Sequence, residues 1–225
     1  MLNRVTKILT AYFETKIWFA FAAIMLVYFV ALTLEFKFVF TDDFYLNSLS
    51  TRYDDHSKLF EFIRSDRALE WTNYFIAFAI VGVPALLIAF TLNVGTLFCE
   101  YKIKFAKLFN IALKAQIIFA LNYLVSIILK CTGIIETNWD MIDNNYFYQS
   151  AAYFFKGNGY PFWIMYPLQI INITEIVHLL ILAFGFSCIS KFGYLKSLGF
   201  VALFYGIAMI VWIIFTVFLQ TLFTT

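Results

Sequence analysis

Three stretches of this chain run for about the thickness of a membrane without a single charge. Residues 17–34 lie between Lys16 and Glu35, residues 71–99 between Glu70 and Glu100, and residues 197–225 follow Lys196. A helix crossing a hydrocarbon core of about 30 Å needs about 20 apolar residues. Two further runs carry one charge each: 108–129 holds Lys114 and 162–190 holds Glu175. Backbone polar groups in lipid must be satisfied within the segment, so continuous apolar runs read as helices rather than barrel strands. The expectation is an all-α bundle of five spans, at about 17–34, 71–93, 108–129, 162–190 and 197–223, forming one integral membrane domain.

Composition closes the alternatives. Hydrophobic residues make up 63% of the chain and charged residues 13%, against roughly 45–50% and 25% in soluble domains. So few charges cannot cover a water-facing surface, and so much apolar area excludes a disordered chain. The first span follows a basic flank but exceeds a signal-peptide core, and no small-residue cleavage site follows Leu34, so a retained anchor is expected.

Five spans place the termini on opposite sides. The side holding the N-terminus carries Arg4, Lys7, Lys16, Lys102, Lys104, Lys107, Lys191 and Lys196 against only Glu14 and Glu100. The other side, with loops 35–70 and 130–161, holds most of the acids. Basic residues concentrate on cytoplasmic loops, so the N-terminus is expected inside and the C-terminus outside. The basic loops suit anionic lipid head groups; no basic stripe suited to nucleic acid exists.

The two external loops differ. In 35–70, Leu59, Phe60, Ile63 and Leu69 recur between charges, the spacing of a short amphipathic helix resting on the membrane. Asp42-Asp43 and Asp54-Asp55 lack the spacing of a calcium loop and read as a solvated acidic face. Loop 130–161 is aromatic, with Trp139, Tyr146, Tyr148, Tyr153 and Tyr160. Such residues favour the head-group level and are candidates for partner or lipid contact.

Ionisable residues inside a span cost about 2.5–3.5 kcal/mol each on insertion scales and count as functional candidates. Asn172, Glu175 and His178 cluster in the fourth span, at a spacing that places Asn172 and His178 on either side of Glu175 on one helix face. Lys114 in the third span is either a partner lining the same path or a side chain that snorkels to the inner head groups, the less costly course. Three roles compete for Glu175. It can lock helix packing through hydrogen bonds, relay protons or cations, or ligate a metal. The single Glu-x-x-His copy disfavours the metal. Pro84 is expected to kink the second span, and Pro161 and Pro167 to start the fourth helix.

Three cysteines without a C-x-x-C pair predict no intramolecular disulfide. No nucleophile elbow, zincin, phosphate-loop or dinucleotide motif is present, so no enzyme and no cofactor are expected.

Tyr166-Pro167-Leu168-Gln169, then Asn172 and Glu175, Leu182-Ala183-Phe184-Gly185, a short turn with Lys191 and Lys196, and Tyr205-Gly206 resemble small bacterial members of the Yip1 family over about residues 70–220. The long N-terminal region and D-L-Y-G-P-type motif of eukaryotic members are absent. The resemblance implies a non-enzymatic scaffold or accessory subunit of a larger complex in a bacterial cytoplasmic membrane, binding membrane proteins or lipids. The alternative is a transporter or channel subunit with a polar path around Glu175.

Overall fold

The computed structural model describes residues 2–49, 56–135, 137, 139, 149–155, 160–190 and 192–224. Regular structure among them is helical: α1 (Leu2–Glu14), α2 (Ile17–Leu34), α3 (Asp42–Leu49), α4 (His56–Phe98), α5 (Phe105–Ala115), α6 (Ile117–Cys131), α7 (Phe162–Ile170), α8 (Ile173–Ser190) and α9 (Tyr194–Thr224). Five helical stretches are long and apolar enough to cross a membrane. The chain is a multi-pass integral membrane protein built as an all-α bundle.

The first span shows how a helix apolar on every side divides its faces. Ala20, Ile24, Tyr28, Ala31 and Leu32 recur every three or four residues and are buried, while Trp18, Phe19, Leu26 and Val30 face outward. Small residues on the inner stripe let neighbouring backbones approach, which is how helices associate in lipid. The same device recurs at Gly95 of α4, where an added Cβ would lie 2.6 Å from the Phe204 ring of α9. Ile24, Val81, Leu92, Leu108, Leu182 and Phe186 sit in the resulting core.

Three boundaries differ from the sequence expectation. The amphipathic segment 57–71 and the second span form one helix of 43 residues, about 64 Å long at 1.5 Å per residue. No glycine or proline separates the two pieces, and Pro84 lies inside the continuous α4. Of the apolar residues in its first turns, Leu59 and Ile63 are buried against Tyr45 and Leu49 of α3, while Phe60 and Leu69 remain exposed. Arg67 fastens the preceding turn to α4, donating to Phe40 O at 2.6 Å and pairing with Asp42 at 3.0 Å and Glu70 at 2.6 Å. Asp42 is therefore ion-paired as well as exposed.

The third span breaks at Gln116 into α5 and α6. There Gln116 N–H bonds Leu113 O and Phe119 N–H bonds Gln116 O, the tightened i to i+3 pattern.

The fourth span is not one helix over 162–190. Pro161 caps α7, and Pro167 lies within it rather than at a start. The chain turns extended at Ile171 and restarts as α8. One side chain joins the pieces. Asn172 Oδ1 accepts Glu175 N–H at 2.7 Å, an N-cap bond, while its Nδ2 donates to Gln169 O and Ile170 O at 3.2 Å each. The chain at 149–151 supplies the remaining backbone partners: Ala151 N–H to Ile171 O at 2.9 Å and Ile173 N–H to Gln149 O at 3.4 Å.

Candidate functional site

Non-helical backbone at membrane depth is tolerated where protein buries it or where it lines a water-filled cavity. The α7–α8 break precedes the fourth candidate span, Ile173–Ser190, and borders a cavity. A cavity of about 510 Å³ lies at the end of the bundle opposite the N-terminus, lined by Asn172 and Thr174 with Gln149 beside them. From α2 and the turn after it come Tyr28, Glu35, Phe36 and Phe40; Asn73 and Ile80 come from α4, and Phe119, Asn122, Tyr123 and Ser126 from α6. The lining is thus mostly aliphatic and aromatic, with Leu32, Ile76 and Ala77 completing it, and carries amides, hydroxyls and one carboxylate among those groups.

Glu35 is only 8% exposed. The Tyr123 hydroxyl donates to its Oε2, and Lys130 Nζ stands 3.7 Å from Oε1. A carboxylate at the C-terminal end of α2 opposes the helix dipole, and these two partners offset that cost. Gln149 Oε1 is a buried acceptor without a donor among the described residues.

A second polar set lies nearby. Glu175, in the first turn of α8, accepts a hydrogen bond at Oε1 from the Tyr205 hydroxyl of α9. Together they face a groove of about 520 Å³ between α4, α7 and α9, whose walls are mainly apolar, among them Pro84, Leu87, Ile170 and Met209. One turn along α8, His178 is fully buried, its ring 4.7 Å from Phe119 and 5.7 Å from Tyr205 between centroids.

Of the four intramembrane residues singled out in the sequence, Glu175 and His178 meet around Tyr205. Asn172 does not share their helix face; it precedes α8 and caps it. Lys114 belongs to neither set. It is fully buried and does not snorkel: Nζ donates to Phe13 O at 2.7 Å and Thr15 O at 2.6 Å. The C-terminal carbonyls of α1 lack partners within their own helix, and they hold the ammonium inside the protein.

The aromatic residues also divide. Trp139 is taken up by packing, with ring centroids 6.2 Å from Phe44, 5.9 Å from Tyr45 and 6.0 Å from Phe62. Beside it the Tyr45 hydroxyl donates to Asp66, and burial, first, and the Asp66 charge push its pKa up. Tyr160 remains 45% exposed against Phe155, and Tyr153 is half-buried. Tyr146 and Tyr148 lie outside the described residues. No group of three metal-type ligands occurs among the described residues.

Glu35, Tyr123, Gln149 and Tyr205 were not singled out as site residues in the sequence. Glu35 carried a usable signal as the charge that ends the first uncharged run. Nothing distinguishes Tyr123 or Tyr205 among 14 tyrosines. No family model, curated protein or solved structure matches the chain. What the fold and site define is therefore a class: a five-span integral membrane bundle with a partly polar cavity at one end, walled in part by a broken helix.

Proposed function

We propose that this membrane protein is a transporter or channel subunit that admits a small ammonium-bearing solute through the partly polar cavity. The break of the fourth span at Asn172, beside that cavity, carries the reading. Discontinuous helices place backbone ends and polar side chains at membrane depth where solutes bind. The ammonium preference follows from the lining. Glu35 already has the ammonium of Lys130 at loose ion-pair distance. Tyr28, Phe36, Phe40 and Phe119 offer aromatic faces of the kind that attract cations, and Gln149 Oε1 awaits a donor. With the basic N-terminal side in the cytoplasm, the cavity opens outward.

Uptake of labelled ethanolamine into proteoliposomes tests the reading. Uptake well above protein-free vesicles is expected, reduced at least tenfold by Glu35→Gln. Equal uptake with and without the protein overturns it.

The accessory-subunit reading has separate support in α9. Among its described side chains only Ser197 and Val201 are buried, while Trp212, Phe215 and Phe218 are at least half exposed. The likeness to Yip1 proteins points the same way. A stoichiometric partner retained in gentle detergent would favour it, and a solitary monomer would remove it.

A further inference from the structure

His178 presents the sharpest unexplained feature of the bundle. Its side chain is fully buried, and neither Nδ1 nor Nε2 has a partner among the described residues. Imidazole always offers a donor, an acceptor or two donors, and buried polar groups are ordinarily paired. The ring contacts Phe119, which lines the cavity, and Tyr205, which lines the groove. Glu175 lies one turn away at i, i−3, a spacing that places side chains together on a helix.

We propose that His178, Glu175 and Tyr205 form a proton-binding site between the cavity and the groove. The surroundings select a proton over other cations. A hard metal ion needs six or more oxygens, and here the three residues offer only the Glu175 carboxyl and the Tyr205 hydroxyl. Among the described residues no fixed positive charge is paired with Glu175. From α9 the facing titratable group is Tyr205, while α6 presents the non-titratable ring of Phe119. Along the groove α4 presents Pro84, Ile88 and Thr91, and α7 presents Tyr166, whose oxygen accepts Trp212 Nε1–H at 3.1 Å. Lys114 of α5 is committed to the α1 carbonyls, and Tyr12 of α1 donates to Lys114 O at 2.9 Å. Glu14 of α1 lies at the other end of α8, beside Cys188.

His178 sits behind Phe119 of the cavity wall, and a hydronium ion that passes this ring gives its proton to a nitrogen of His178; one O–H bond breaks and one N–H bond forms. The imidazolium then passes a proton to the Glu175 carboxylate, so an N–H bond breaks and an O–H bond forms. The ring returns to neutral, and Tyr205 keeps its own hydrogen, donating to Oε1 throughout. The use of the proton, to accompany the solute, rests on the transport reading; the binding site does not.

Infrared titration of the protein in nanodiscs tests the site through the carbonyl stretch of a protonated carboxylic acid. The other carboxyls of the chain titrate alike in both proteins, so a titrating acid band is expected in the wild-type spectrum minus that of Glu175→Gln. His178→Phe keeps the ring between Phe119 and Tyr205 and should move the band's midpoint by at least one pH unit. In case that variant misfolds, His56→Gln leaves His178 as the sole histidine of an otherwise intact chain, and its ring nitrogen resonances should move over the same pH range. No titrating acid band in that difference, or nitrogen resonances that do not move, overturns the proposal. Ethanolamine uptake should vary at least tenfold across that midpoint and become flat in Glu175→Gln. Absent uptake would remove the transport reading while the infrared result still decides the site.

Discussion

The two ends of the bundle solve the same problem in opposite ways. At each end a polar side chain satisfies loose helix backbone, half-buried at Asn172 and fully buried at Lys114. At the end away from the N-terminus, Asn172 joins α7 to α8 and stands in the wall of a cavity of about 510 Å³. At the N-terminal end, Lys114 holds the carbonyls of Phe13 and Thr15 at and just past the end of α1, and Tyr12 returns a bond to Lys114 O; a cavity of about 370 Å³ lies beside them, lined by Phe13, Asn110 and Ile111. There Phe13 fills the notch left by Gly185, where an added Cβ would lie 2.5 Å from its ring. A neutral amide suffices where water can reach the wall. A fully buried charge needs oxygens fixed around it, and α1 supplies them. The stretch between, residues 111–116, is buried throughout. Each end thus has a cavity, and what differs is the group that fixes the backbone there: a half-buried amide at one and a fully buried ammonium at the other.

The strongest test of this contrast is Lys114→Met, which keeps the length and apolar stem but removes the donors. Two hydrogen bonds from a charged group are lost, about 3 kcal/mol together. Hydrogen exchange within 6–14 should become about a hundredfold faster, with little change around 173–178. Unchanged exchange in α1 would show that the end of this helix does not depend on the lysine.

Asn172→Ala should have a smaller effect, about 1.5 kcal/mol, the ordinary cost of an N-cap. Asn172→Ser restores an acceptor for Glu175 N–H but no donor for Gln169 O and Ile170 O, so it should recover about half. Melting temperatures in nanodiscs compare the three. A loss from Asn172→Ala as large as that from Lys114→Met would erase the distinction between the caps.

The smallest effect is at Tyr12, whose pKa burial pushes up to about 12. An unfolded tyrosine ionises near pH 10. The hydroxyl's contribution is therefore complete below about pH 10 and lost as the pH climbs through about 12. Tyr12→Phe should cost about 1 kcal/mol at pH 8, and the difference from wild type should shrink by pH 11. A constant difference in the two melts would separate the hydroxyl from the Lys114 contacts.

The spans were legible because lipid leaves so little choice: long uncharged runs have no other stable form. The breaks were not. Nothing in the hydropathy of 162–190 marks Ile171 as extended, because Asn172 and the chain at 149–151 meet there only after the loop folds back. Glu175 and His178 stood out as polar residues in an apolar run, yet their shared partner Tyr205 is remote in sequence. Lys114 was misread for a related reason. Snorkelling is the cheaper course for a lone span, but α1 brings oxygens to the lysine instead.

By itself the sequence determined the class of structure, the number of spans and the buried ionisable groups at issue, since burying backbone in hydrocarbon is a local constraint. Only the tertiary structure decided which helices break, where the cavity opens and which polar groups meet. Those outcomes depend on hydrogen-bond partners supplied from distant parts of the chain, and local periodicity carries no record of them.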